Sequence, residues 1–139
     1  MRKIADFART TNQPAPESPG QFVRCALESL ALAYRHKLNT LESILDRQFD
    51  VVHVVGGGGK NALLCQMTAD ATGRRVVVGP YEATALGNAL VQAMGAGDIA
   101  DLAALRQIVA RSTELAHYEP AGDGAAQEAF PRFQALLGN

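Results

Sequence analysis

The chain reads as an α/β protein, and three features of its 139 residues carry that reading. Helical and strand-like periods alternate along its first two-thirds. The run Val51-Val52-His53-Val54-Val55 is apolar toward both faces, as a parallel strand covered by helices on either side must be. Four consecutive glycines, Gly56 to Gly59, then break this strand before an amphipathic helix starts. The order helix, strand, helix, strand, helix completes the α/β pattern.

The elements follow in order. Arg2 to Arg9 sets Ile4, Phe7 and Ala8 at helical spacing, a short amphipathic piece, and Thr11 to Ser18 is a proline-containing loop. Ser18-Pro19-Gly20-Gln21 combines an N-cap hydroxyl, a proline at the first helical position and a glutamine three residues after the cap, which is a capping box. From there Val23, Leu27, Leu30, Tyr34, Leu38, Leu41 and Leu45 recur every three or four residues and predict a helix to about Asp46. Phe22, Ala26 and Ala31 widen the stripe beyond a coiled-coil seam, so a core-facing helix is expected.

After the Asp50 to Val55 strand and its glycines, Leu63, Leu64, Met67 and Ala71 define a helix that Gly73 ends in a left-handed cap. Arg75 to Val78 is a second short strand, closed by Gly79-Pro80. Glu82-Ala83-Thr84 opens a third helix with Leu86, Leu90, Val91 and Met94 expected inward, stopped at Gly95 to Gly97. Leu102, Leu105, Ile108 and Val109 mark another helix, Glu119 to Ala126 a flexible loop, and Phe130, Phe133, Leu136 and Leu137 a last helix. Two strands for five or more helices is too little sheet for a complete doubly wound domain, because two parallel strands alone are marginal.

Composition narrows the function. Thirteen basic against fourteen acidic side chains, no basic run and no tryptophan argue against nucleic acid as a partner. Cys25 and Cys65 form no Cys-x-x-Cys pair and fall on apolar faces, reading as reduced core residues of a cytoplasmic protein. His36, His53 and His117 have no ligand spacing, so no metal site is expected. No window approaches the roughly 18 apolar residues of a membrane helix, and the N-terminal Met1-Arg2-Lys3-Ile4 has no signal-like apolar region.

The glycine run suggests a nucleotide site. Residues without Cβ let a ring or phosphate approach the backbone, and the helix start beyond offers free N–H groups. Two well-known motifs nevertheless fail. A P-loop requires Gly five residues before Gly59 and Ser or Thr after Lys60, where this chain has Val54 and Asn61. A dinucleotide fingerprint begun at Gly56 puts its last glycine at Asn61, and about 20 residues on it meets Val78 to Tyr81 in place of an acidic ribose partner.

A resemblance explains the run better. Val54 to Asn61, then Gln66, Ala69-Asp70-Ala71-Thr72-Gly73, and Val76 to Asn88 with its Gly79-Pro80-Tyr81-Glu82-Ala83-Thr84-Ala85-Leu86-Gly87-Asn88, together resemble the C-terminal domain of the FGGY carbohydrate kinases. Within that family the pattern is most similar to the rhamnulokinase branch, as is the helix at residues 26–35. The resemblance implies part of an actin-like, ribonuclease-H-like ATPase domain lacking its opening strand meander. Residues 1–118 would be the incomplete ATP-side domain, and residues 119–139 its flexible loop and terminal helix.

The implied function is the ATP-binding portion of a kinase that phosphorylates L-rhamnulose, with ATP and Mg2+ as cofactors and most of the Mg2+ site outside this chain. By the family motif Gly57, flanked by Gly56 and Gly58, lies against adenine and ribose, and Asn61 hydrogen-bonds the base, to which an amide offers donor and acceptor. No residue here matches the catalytic base, and the sugar is expected to bind a domain this chain does not contain. Family members commonly carry other small or polar residues at Gly59-Lys60; Lys60 either reaches a phosphate or stays solvated. Asp70 reads as an exposed or capping carboxylate, Gly87 as an allowance for close helix packing, and Arg74 and Arg75 as a surface pair in preference to phosphate contacts. The alternative is a non-catalytic, stand-alone nucleotide-binding or self-associating module. In either case the strand at 51–55 is expected to have an open edge through which homo-oligomers form.

Overall fold

A computed structural model of the chain describes residues 1–122 and 124–138. Asp123, inside the expected flexible loop, and Asn139, at the end of the terminal segment, lie outside the described residues. The order is α1 (Arg2–Thr10), α2 (Pro19–Leu45), β1 (Val51–Val54), a 3-10 turn (Gly57–Lys60), α3 (Ala62–Thr72), β2 (Arg75–Val78), α4 (Ala83–Ala96), α5 (Leu102–Ser112), β3 (Ala116–Tyr118) and α6 (Ala125–Leu137).

The capping box forms as written. Ser18 Oγ accepts from Gln21 N at 3.3 Å, and Gln21 Oε1 accepts from Ser18 N at 3.1 Å. At the other end of α2, Asp46 takes a left-handed conformation and closes the helix. Gly73 does the same for α3.

The sheet has three strands in the order β1-β2-β3. β1 and β2 run parallel, with Val51 opposite Arg75 and Val54 opposite Val78. β3 pairs antiparallel on the other side of β2, Val76 opposite Tyr118 and Val78 opposite Ala116. Three residues are too few to show a period of two, so β3 escapes the sequence pattern; its place is set by pairing with β2. β1 is left with a partner on one side only, among the described residues.

α3 is the centre of the packing. One side, with Cys65 and Ala69, meets Val76 and Val78 of β2, flanked by Val52, Val54, Ala116 and Tyr118. Its other side, with Met67 and Ala71, joins Ala31 and Leu32 of α2 and Phe130 of α6. A helix buried on two sides needs small residues, and Ala69 and Ala71 supply them.

Three expectations about burial are corrected. The α2 stripe is largely exposed: Val23, Leu30, Tyr34, Leu41 and Leu45 are all exposed, and the helix buries Ala31, a residue expected to widen the stripe, together with Leu32. α4 packs against α5 without burying any residue, so Val91 is 53% exposed and Gly87 has no atom near enough for a close helix contact. Cys65 is buried as expected, but Cys25 is only half-buried.

Candidate functional site

The two parallel strands end at the same edge of the sheet. Each then runs into a glycine-led turn, Gly56 to Lys60 after β1 and Gly79 to Glu82 after β2. The turns are stitched together where Gly79 N donates to Val54 O at 2.9 Å and Gly56 N donates to Pro80 O at 3.2 Å. The carboxyl ends of parallel strands are where α/β sheets present ligand sites, because the backbone there diverges and the following helices point their N-termini inward.

The four glycines are not equivalent. Gly56 has φ +76°, a conformation L side chains avoid. Gly59 is buried, and a Cβ there would lie 2.4 Å from Val78 Cγ1 and 3.3 Å from Tyr81 Cε1. Gly57 and Gly58 are exposed, have ordinary φ values, and a Cβ on either would meet nothing within 4 Å. Backbone conformation therefore explains the first glycine and packing the last, and neither explains the middle pair.

Asn61 caps the helix that follows: its Oδ1 accepts from Leu64 N at 3.0 Å. The acceptor half of the amide is thus occupied, whereas Nδ2 has no partner among the described residues and Asn61 is exposed. The glycine turn is held from beneath by the Cys65 thiol, which donates to Gly59 O at 3.7 Å. Burial pushes the Cys65 thiol above its ordinary pKa, keeping the proton that this contact needs. Lys60 is exposed, with Nζ 6.0 Å from the centroid of the Tyr81 ring. The structure thus gathers Gly56, Gly57, Gly58 and Asn61 into one turn and adds Tyr81 and Cys65. Contact with the glycine turn marks these two, and nothing in the spacing of the sequence signals it.

The remaining singled-out residues are structural. Asp70 Oδ1 accepts from Gln66 Nε2 at 2.9 Å and from Ala121 N at 2.7 Å, while Gln66 Nε2 also donates to Glu119 O at 2.8 Å. Asp70 therefore anchors the segment leading into α6. Arg74 is no surface residue: Nη2 lies 3.3 Å from Glu42 Oε1, with both side chains mostly buried. Phe49 N donates to the same oxygen at 2.9 Å, and this bond, ahead of the Arg74 contact, holds the Glu42 carboxyl below its ordinary pKa. Arg75 does stay at the surface, paired with Glu119. Among the described residues no three His, Cys, Asp or Glu side chains could share a metal ion, and no helix is long and apolar enough to cross a membrane.

Known proteins resemble this chain over nearly its whole length. It is 47% identical over 131 residues to a rhamnulokinase of Bacteroides thetaiotaomicron, covering 94% of this chain and 27% of that protein. A rhamnulokinase of Klebsiella pneumoniae is 40% identical over 132 residues, 95% of this chain and 27% of that protein. Among solved structures, a xylulose kinase from Rhodospirillum rubrum superposes with a TM-score of 0.63 at 26% identity, covering 88% of this chain and 25% of that one. The chain thus spans about a quarter of the length of the relatives it matches. This likeness bears out the mixed α/β reading as part of a sugar kinase fold. Residues 2–96 match the C-terminal domain of the FGGY family of carbohydrate kinases, and the chain belongs to that family.

Proposed function

We propose that this chain is the ATP-side portion of a rhamnulokinase, an enzyme that moves the γ-phosphoryl group of ATP to a hydroxyl of L-rhamnulose in the cytoplasm. One observation carries the nucleotide part: Gly57 and Gly58 are glycine where neither packing nor backbone conformation requires it, so the open space beside them is kept for a ligand. An adenosine fits the donor set. Asn61 offers Nδ2 to a ring or ribose acceptor while its Oδ1 stays with the helix cap, a narrower role than a two-sided base contact. Mg2+ would arrive with the phosphates, since no described cluster assembles around an ion. The ion would neutralise phosphate charge, and this chain's part is to bind and orient the nucleotide. On this reading residues 1–118 are the incomplete ATP-side domain and residues 119–139 its terminal segment, while sugar and proton-accepting carboxylate belong to the rest of a longer protein.

Calorimetry with ATP tests the reading. Gly57→Val should fold like the parent yet bind more weakly, because its side chain enters the open space. Asn61→Asp should keep the cap and lose the donor, a loss of about 0.5–1.5 kcal/mol. Parent-like ATP binding by Gly57→Val would reduce the glycine run to a turn. In a coupled ADP-release assay with L-rhamnulose the 139-residue chain should show no sugar-dependent turnover, and sustained turnover would contradict the division of labour proposed here.

A second reading, self-association, has its own support. Among the described residues β1 is unpaired on one side, and Tyr34 of α2 lines a cavity of about 380 Å³ together with Val52, Val54, Val55 and Leu64. An open strand edge beside an uncovered apolar helix face favours pairing of two copies.

A further inference from the structure

The turn after β2 contributes a side chain to the same edge. Tyr81 follows Gly79-Pro80, whose backbone is bonded to the end of β1, so its position is fixed relative to the glycine turn by two hydrogen bonds. Its ring runs alongside Gly59, close enough that a Cβ there would come within 3.3 Å of Cε1 and 3.7 Å of Cδ1. The residue is nevertheless 42% exposed, so it is not sealed into the core. Tyr81 donates or accepts no hydrogen bond among the described residues, and Lys60 Nζ lies 6.0 Å from its ring centroid. A partly open aromatic ring against Gly59, at the end of the turn that carries Gly57 and Gly58, has the character of a wall for a flat base.

We propose that Tyr81 is the second wall of the nucleotide slot, packing its ring against the base opposite the Gly57-Gly58 backbone, and that Lys60, beside that ring, meets the phosphates. The assignment rests on the nucleotide reading above. It adds a base contact from a residue outside the glycine motif and separates a base-contacting side chain from a phosphate-contacting one.

The test titrates the 139-residue chain with adenosine and with ATP, following both calorimetric affinity and tyrosine emission. Emission is informative because the chain has three tyrosines and no tryptophan. Both ligands should quench the parent. Tyr81→Phe should hold affinity within about twofold, keeping an aromatic wall, while most of the quenching disappears. Tyr81→Leu should weaken adenosine and ATP alike, by about tenfold. Lys60→Met should weaken ATP more than adenosine.

Parent-like affinity for adenosine in a Tyr81→Leu protein with unchanged circular dichroism would overturn the wall and leave the nucleotide reading standing. Should Tyr81→Leu fail to fold, Tyr81→Phe decides, since full parental quenching there would place the base elsewhere. Equal effects of Lys60→Met on both ligands would remove Lys60 from the phosphates. No binding of either ligand by the parent would overturn the wall and the nucleotide reading together.

Discussion

Glycine answers different demands within the Gly56 to Gly59 turn, a left-handed backbone at Gly56 and close packing at Gly59. Gly59→Ala forces a methyl group onto Val78, a core residue only 1% exposed, and should cost about 1–3 kcal/mol of stability in denaturant unfolding. Gly57→Ala, with nothing within reach, should stay within about 0.5 kcal/mol of the parent. Equal losses at the two positions would show that the turn's glycines share one role. The turn itself was legible from the glycine run, and Asn61, named by the motif, caps the helix after it. What the sequence could not show was the division of labour, because four identical letters say nothing about which of them faces Val78.

Glu42 gives a pH-dependent counterpart. Its carboxyl is held below the ordinary value of 4.5, chiefly by the Phe49 N–H and also by Arg74. A depressed carboxyl stabilises the fold above its unfolded-state pKa, and the contribution fades as pH falls through the folded-state value. Glu42→Gln should therefore be less stable than the parent near neutrality, and the two unfolding curves should converge below pH 4.5. A gap that persists undiminished in acid would mean that shape, rather than charge, secures the site. This pairing was hidden in the sequence, where Glu42 and Arg74 stand 32 positions apart.

At the scale of elements, local signals were the legible ones. The α2 start, the α3 stop and both parallel strands are written in capping residues, in Gly73 and in valine runs. Ser18→Ala removes the hydroxyl that receives Gln21 N and should lower stability by about 1 kcal/mol in thermal or denaturant melts. No change would mean that tertiary contacts alone hold the start of α2. The orientation of α2 was not legible. Periodicity finds an apolar stripe but does not say which neighbour covers it, and the helix turns Ala31 and Leu32 toward α3 while Leu30 and Tyr34 look out.

At the scale of the molecule, Tyr34 of that outward stripe and β1, whose outer side has no partner among the described residues, line one cavity. Light scattering at rising concentration should show the 139-residue chain moving to a dimer. His53→Lys, at an exposed position of β1, should shift it back toward monomer by placing a charge along the edge. A monomer at every concentration in the parent would rule out the self-association reading.

The position of β3 has a consequence for how the chain comes into being. β2 lies between a strand that precedes it by about two dozen residues and one that follows by about forty, so a growing chain completes the sheet in two instalments. The first joins β1 to β2 in parallel soon after Val78 emerges. The second waits until α4 and α5 have been made, and in that interval Val76 and Val78 have an open flank. Any nascent or prematurely stopped chain ending before Ala116 leaves the valine strand β2 as a bare sheet edge, a flank that β3 covers in the finished chain. Such shortened chains should be the species that accumulates in aggregates and recruits chaperones during expression.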